Sequence, residues 1–210
     1  VTLFTREFGK IGALAKGAYR QKGPFDSALD LLTRARVVFL RKSSGGLDLL
    51  TEAKLEHRFR PPNHDLSPLF AGHYVAELLL ELTDEYDPHP ELFDVAAQTL
   101  QALSSEENKH ISPLILHFEL SALRLLGHLP NLEQCVECGK TIPTDGRVAF
   151  GQSSGGVLCP RCRPGKRHVA QIKGESLRAL RWYAQDHRNN LQSAPYPISG
   201  DCLLYTSPSP

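Results

Sequence analysis

Hydrophobic positions recur mostly at every second residue over the first 60 residues and at every third or fourth residue beyond them, and the change of period falls near Pro61-Pro62-Asn63-His64. Lys10 to Arg20 reads as a short extended segment punctuated by Gly9, Gly12 and Gly17, and Leu31 to Arg41 as a longer strand rich in β-branched and aromatic residues. Along that strand Leu31, Thr33, Ala35, Val37 and Phe39 share one face, which sends Arg34 and Arg36 to the other. Ser43-Ser44-Gly45-Gly46 supplies a turn. The next strand alternates, with Leu47, Leu49, Thr51, Ala53 and Leu55 on one face and Asp48, Glu52, Lys54 and Glu56 outward. Several twisted, glycine-punctuated strands in so short a stretch suit a small barrel of the oligonucleotide-binding type, although composition does not separate it from other small β-barrels.

Beyond His64 the pattern is helical. Ser67-Pro68 reads as a cap and first helical position, with Leu66, Leu69, Phe70, Tyr74, Leu78 and Leu82 as the inward stripe. A second helix starts at Pro90 with Phe93, Ala96, Leu100 and Leu103 inward. A third starts near Pro113, is apolar nearly all round, and ends at Gly127, which suits the left-handed conformation of a helix stop. Gly174 to His187, with Leu177, Leu180 and Trp182, reads as a fourth. The expected architecture is α+β: an N-terminal β-barrel over 1–60, a helical domain over 61–200 carrying a small insertion at 132–166, and a tail over 201–210.

Charge sharpens this division. The formal net charge of the whole is +1. Residues 1–60 hold 12 Lys and Arg against 6 Asp and Glu, residues 61–130 hold 2 against 11, and residues 131–200 hold 10 against 5. Basic segments suit a polyanion, because each neutralised phosphate releases condensed counterions. The bland alternative is a pair of solvated basic faces. With 41% hydrophobic residues the chain holds enough apolar side chain for a well-buried core, and its longest apolar runs, such as Val37-Val38-Phe39-Leu40, are far short of the roughly 20 residues that cross a bilayer. No charged and then apolar leader precedes the first strand, so a cytoplasmic protein without membrane partners is expected. The chain holds no methionine, even at position 1, and so reads as a fragment or processed product; the last ten residues continue no earlier pattern and read as a foreign tail.

The strongest chemical signal is a pair of C-x-x-C knuckles, Cys135-Val136-Glu137-Cys138 and Cys159-Pro160-Arg161-Cys162, separated by 20 residues. Two knuckles supply four thiolates, a tetrahedral shell for Zn²⁺ with Zn–S of about 2.3 Å, and four protein ligands leave no open position, so the ion is expected to be structural. Gly139 permits the tight backbone after the second cysteine, and Ile142-Pro143 with Val148-Ala149-Phe150 supplies a hairpin for a zinc ribbon. Redox dithiols are the competing reading, but those take one such motif at a helix start after a strand. His117-Phe118-Glu119 ahead of C-x-x-C resembles a zinc deaminase signature; neither Cys135 nor Cys159 follows a proline, and His117 sits in the nearly all-apolar helix. There is no phosphate-binding G-x-x-x-x-G-K-[ST] loop, no G-x-S-x-G elbow and no H-E-x-x-H, so catalysis is not expected. The acidic group Glu81, Asp84, Glu85 and Asp87 reads as a solvated helix end.

Three stretches together resemble the RecO family of bacterial recombination mediators. They are Leu3-Phe4-Thr5-Arg6-Glu7-Phe8-Gly9-Lys10 running on to Ala15-Lys16-Gly17-Ala18-Tyr19-Arg20, then Phe118-Glu119-Leu120 through Leu123-Arg124-Leu125-Leu126-Gly127, and the cysteine quartet. The resemblance implies an oligonucleotide-binding barrel followed by a helical domain that carries a zinc ribbon. It also implies binding to single- and double-stranded DNA, annealing of complementary strands, and action with RecR to load RecA onto strands coated by single-stranded DNA-binding protein. Lys10, Lys16, Arg20 and Lys22 match the family's basic strand and loop; Arg34 and Arg36 join them from strand alternation alone. Arg124 is a candidate contact for the acidic C-terminal tail of single-stranded DNA-binding protein, or equally a salt-bridge partner. Against the family pattern the first barrel strand is expected to be missing before Val1 and the closing helical segment to be replaced after Gly200, and an incomplete barrel exposes strand edges that favour aggregation. Of the aromatics available for base stacking, Phe4, Phe8, Tyr19, Phe25, Phe39 and Phe59, several must be core, so phosphate contacts are expected to dominate. The alternative to a DNA-binding mediator is a zinc-ribbon scaffold that binds other proteins.

Overall fold

The computed structural model describes residues 1–18, 25, 28–42, 45–62, 66–105 and 111–185. Arg20, Lys22, Tyr19 and the 201–210 tail lie outside these residues. The chain divides into two compact units, Val1–Ile111 and Ser112–Pro210. The first is a four-stranded sheet with two helices: β1 (Thr2–Thr5), β2 (Gly9–Ala15), β3 (Arg34–Leu40), β4 (Asp48–His57), α1 (Ser67–Leu82) and α2 (Pro90–Leu103). The strand order is β1-β2-β4-β3, antiparallel except that β2 runs parallel to β4. Among the described residues that order, with one parallel pair among hairpins, fits the strand pairing of an oligonucleotide-binding barrel, and the expected class, a strand-rich start followed by helices, holds. Ala13, Phe25, Ala28, Leu50 and Ala53 form its inner cluster, with Leu3, Val37, Phe39 and Leu55 partly buried against it.

The alternation expected in β3 holds from Ala35 onward: Ala35, Val37 and Phe39 turn inward, and Arg34, Arg36, Val38 and Leu40 outward. Leu31 does not belong to that face. It lies in the turn before the strand, 73% exposed, and the left-handed backbone of Leu32 (φ 59°) breaks the extension there. In β4 the expected facing is overturned for the first half of the strand. Val38 pairs with Glu52 and Phe39 with Leu50, so Thr51 is an extra residue on β4, and its hydroxyl donates to the Val38 carbonyl at 3.0 Å. One added residue reverses the parity of every side chain on one side of it. Ala53 and Leu55 therefore face the core as expected, while ahead of the bulge Asp48 and Leu50 are buried and Leu47 is 52% exposed.

Burial of Asp48 is made tolerable by its bonds. The Lys42 backbone N–H donates to Oδ1 at 3.0 Å and the Tyr86 hydroxyl to Oδ2 at 2.7 Å. These bonds, first the Lys42 amide and then the Tyr86 hydroxyl, hold the carboxyl below the usual range. Arg41 lies 4.1 Å over the Tyr86 ring. Tyr86 belongs to the α1–α2 connection, which pairs with the start of β2: its N–H donates to the Lys10 carbonyl at 3.0 Å. At Gly9 (φ 69°) a Cβ would stand 2.1 Å from the Asp87 carbonyl oxygen, so only glycine permits this approach. Stacking of Phe4 on Phe93 and a two-pronged Arg6–Asp94 ion pair (2.9 and 3.1 Å) bring α2 against β1.

The helices exist where the period places them, but α1 is rotated. Its buried stripe is Pro68, Ala71, Gly72, Val75 and Leu79, whereas Leu66, Phe70 and Leu82 are exposed. Small residues win the inner face because the helix lies close to its neighbours: a Cβ on Gly72 would meet Leu32 at 2.8 Å. Leu66 is the residue preceding the helix and no side chain caps it, so Ser67 is not the cap. On α2 the buried residues are Leu92, Val95, Ala96, Thr99 and Leu103, with Phe93 and Leu100 half-buried. Glu81, Asp84, Glu85 and Asp87 are exposed.

The second unit contains α3 (Ile111–Leu125), which begins at the boundary, then β5 (Arg147–Gly151), β6 (Gly156–Leu158), β7 (Val169–Lys173) and α4 (Gly174–Ala184). The strands form an antiparallel sheet in the order β6-β5-β7. Leu116 and Leu120 of α3, Val148 and Phe150 of β5, Ile172 of β7, and Leu177, Leu180 and Tyr183 of α4 share its core. On α4 it is Tyr183, not Trp182, that is fully buried. The bonds from the Gly127 and His128 amides back to Arg124 and Leu123 close α3 at left-handed Gly127 (φ 77°). Among the described residues no helix is long and apolar enough to cross a membrane.

The Asp48 cluster gives a pH dependence with a definite sign. A carboxyl whose folded pKa lies below its unfolded value of about 3.9 adds stability above that value and loses it as pH falls through the folded pKa. Urea midpoints measured from pH 6 to pH 3 should therefore fall below about pH 4 in the wild type, and more shallowly in Asp48→Asn.

Candidate metal centre and cationic surfaces

The first knuckle hangs from the end of a short bridge between Gln134 and Thr141. The Cys135 N–H donates to the Lys140 carbonyl and the Gly139 N–H to the Cys135 carbonyl, both at 2.8 Å, with Gly139 at φ 72°. This is the tight loop expected of Gly139, and it turns the sulfurs of Cys135 and Cys138 the same way. The second knuckle follows β6 directly: the N–H groups of Cys162 and Arg163 donate to the Cys159 carbonyl, both at 3.1 Å. The Val136 amide, bonded to the Val157 carbonyl at 3.1 Å, ties one knuckle to the strand that feeds the other.

As a result the Sγ atoms of Cys135, Cys138, Cys159 and Cys162 all lie within 4.8 Å of one another. Cys138 and Cys159 are 3.7 Å apart. A tetrahedron with Zn–S of about 2.3 Å has sulfur–sulfur edges of about 3.8 Å, so the donor set fits a single zinc ion in number, chemistry and spacing. Cys135 and Cys159 are buried, Cys162 is partly buried and Cys138 exposed. Burial pushes the Cys135 thiol up, but backbone N–H groups of Cys159, Cys138 and Glu137 outweigh it and bring the group down to about 6. Cys159 is likewise lowered, chiefly by the Cys162 N–H. Cys162, hydrogen-bonded to Cys159 and set among sulfurs already prone to ionise, is pushed up to about 12. Four crowded sulfurs thus cannot all carry charge by themselves, and a divalent cation is what would let them.

Two residues that build this centre have no cysteine signature. Arg181 on α4, its side chain 17% exposed, donates from Nε to the Leu132 carbonyl and from Nη2 to the Ile142 carbonyl, both at 2.9 Å, and pairs with Glu133 at 3.2 Å. It bridges the two chain segments that flank the first knuckle. Arg178, one turn earlier, donates to the Thr144 carbonyl at 3.2 Å. Their spacing of three residues on one helix face was the available signal.

Of the expected DNA-contacting cations, Lys10, Lys16, Arg34 and Arg36 are described and lie on or beside β2 and β3. Lys16 is exposed in the turn after β2. Lys10 is half-buried, and its Nζ donates to the Leu80 carbonyl in the last turn of α1 at 2.7 Å, so part of its charge serves that helix end. Arg34 and Arg36 point outward from β3 and share Glu56, at 3.6 and 3.0 Å. Of the aromatics, Phe25 and Phe59 are buried, Phe4 is stacked on Phe93, and Phe8 is 50% exposed with its ring edge-on to Phe39. Arg124 lies half-buried in the last turn of α3, and its Nε is buried without a hydrogen-bond partner among the described residues.

Residues 1–59 match the family model described as recombination protein O N terminal, and residues 63–198 match recombination protein O C terminal. Similar proteins include a DNA repair protein RecO of Rhodopirellula baltica, 43% identical over 187 residues, which cover 89% of this chain and 68% of the relative. RecO of Anaeromyxobacter dehalogenans is 35% identical over 181 residues (86% and 70%), and that of Listeria monocytogenes 31% over 183 residues (87% and 69%).

Removing one thiolate should abolish the centre rather than weaken it. Cys135→Ser is expected to lower bound zinc, measured by elemental analysis, from one ion per chain to well below one. Chelation of the wild type should cause the near-ultraviolet signal of Trp182 and Tyr183, which share the unit's core, to change in step with metal loss.

Proposed function

Because the chain belongs to the RecO family of DNA repair proteins, we propose that it is a non-enzymatic recombination mediator that binds single- and double-stranded DNA and anneals complementary strands. In this reading residues 1–60 are the DNA-binding barrel and 61–200 the helical domain, with one structural Zn²⁺ on Cys135, Cys138, Cys159 and Cys162 bracing the ribbon at 132–166. The observation that carries the reading is family membership over both halves of the chain together with outward cations on the strand-rich unit. Lys16, Arg34 and Arg36, with Lys10, Arg20 and Lys22, offset the repulsion between two phosphate backbones so that strands approach and pair. Arg34 and Arg36 share one carboxylate, so the pair keeps a net positive charge for a phosphate. With few free aromatics, grip on the backbone outweighs stacking on bases.

By the same reading the protein works in the cytoplasm, near the nucleoid, with RecR, and helps load RecA onto single strands. Arg124, half-buried in the last turn of α3, would receive the acidic tail of single-stranded DNA-binding protein through a guanidinium–carboxylate pair. A second reading, a protein-binding scaffold, draws on the exposed apolar side chains of Leu66, just before α1, and of Phe70 and Leu80 on α1, together with the acidic α1–α2 connection.

Annealing of complementary oligonucleotides without ATP tests the first reading. Lys16→Ala with Arg20→Ala should slow annealing and reduce the slope of log K against log[salt] for single strands by about 1.4, the share of two phosphate contacts. Capture of protein partners after complete DNA digestion, with no DNA affinity at low salt, would instead favour the scaffold.

A further inference from the structure

The metal centre gathers charge as well as sulfur. The second knuckle and the loop after it, Cys159-Pro-Arg-Cys-Arg-Pro-Gly-Lys-Arg-His168, carry Arg161, Arg163, Lys166 and Arg167, all exposed. Convergence of the four sulfurs sets this loop beside the first knuckle, where Lys140 is also exposed, and the Lys166–Glu137 ion pair ties the two together. Glu137 is thereby occupied, and among the described residues no ion pair engages Arg161, Arg163 or Arg167. Four thiolates outweigh a divalent cation by two charges, and five cationic side chains exceed that and Glu137 combined, so the surface stays positive with the ion in place. The large hydrophobic side chains exposed among the described residues all belong to the first unit, so this surface offers charge without an apolar pocket.

We infer that the exposed face of the two knuckles, Lys140, Arg161, Arg163 and Arg167, is a second DNA-contacting surface that holds the phosphate backbone without reading its bases. Planar guanidinium forks on a loop clamped at both ends match phosphate oxygens with little ordering cost. A surface lacking exposed aromatics neither stacks bases nor selects sequence, so it serves single strands and duplexes alike. An acidic peptide is the lesser match, because peptide docking ordinarily adds an apolar anchor to its charges, and none is exposed here.

The test uses the full chain loaded with zinc and a fluorescent oligonucleotide titrated across salt concentrations. Arg161→Ala, Arg163→Ala and Arg167→Ala together should reduce the single-strand salt slope by about 2, with the zinc content and thermal midpoint of the wild type retained. The triple Arg→Lys variant should restore the slope, since the contact is with charge. An unchanged slope in the alanine variant overturns the inference, as does a loss that lysine fails to restore. So does a labelled acidic peptide whose binding falls in the alanine variant while DNA binding does not. The proposed barrel surface is judged separately by Lys16→Ala with Arg20→Ala: a loss confined to that variant sinks the ribbon surface and leaves the barrel, and a loss confined to the ribbon variant does the reverse.

Discussion

Convergence of four sulfur atoms is the constraint on which the second unit depends. Among the described residues its sheet has three strands, one of them three residues long, and its backbone pairing is correspondingly short. The knuckles make up the difference by joining the segment before β5 to the segment after β6. Backbone N–H groups bring Cys135 down, while the hydrogen bond to Cys159 and burial push Cys162 up, so the four crowded thiols do not ionise alike. On the proposed reading a divalent ion would satisfy all four sulfurs at once and couple folding of this unit to metal binding. Arg181 then extends the brace from the sulfurs to α4 by holding carbonyls on both sides of the first knuckle.

A different device organises the first unit. The extra residue at Thr51 turns the leading end of β4 over, and in doing so places the Asp48 carboxylate where apolar side chains would be expected. A buried carboxylate without partners would be expensive, and here the Lys42 amide, the Tyr86 hydroxyl and the guanidinium stacked on the Tyr86 ring make it a junction between strand and helical connection. The outer strands of the sheet, β1 and β3, each have one partner strand among the described residues, and β3 presents Arg34 and Arg36 outward. Charge along such an outer strand discourages strand-to-strand aggregation and also suits a polyanion.

The two units thus carry their cations in different ways. Those of the first unit are separated and partly engaged, Lys10 with a helix end and the β3 arginines with Glu56. In the second unit four of them, Arg161, Arg163, Lys166 and Arg167, lie in one loop that runs on from the second cysteine knuckle. Between them in sequence lies an acidic helical stretch, residues 61–130, that would repel a DNA backbone.

Periodicity by itself determined α1 to α4 and the strands β2, β3 and β4 in their order, since a change from period two to period three or four survives any packing arrangement. It missed the short β1, β6 and β7, and Val148-Ala149-Phe150 pairs with β6 and β7 rather than with Ile142-Pro143. The spacing of the cysteines likewise determined the quartet, because knuckle geometry is local. Packing alone decided which way each element faces. The α1 stripe runs through Ala71, Gly72 and Val75 because close approach there admits only small side chains, and hydrophobicity ranks the exposed Leu66 and Phe70 above them. Nothing local to Thr51 announces a bulge, and nothing in Asp48 announces burial, because both follow from the register chosen by a partner strand. Arg181 belongs to the same class: its role exists only once residues 132, 142 and 181, far apart along the chain, are brought together.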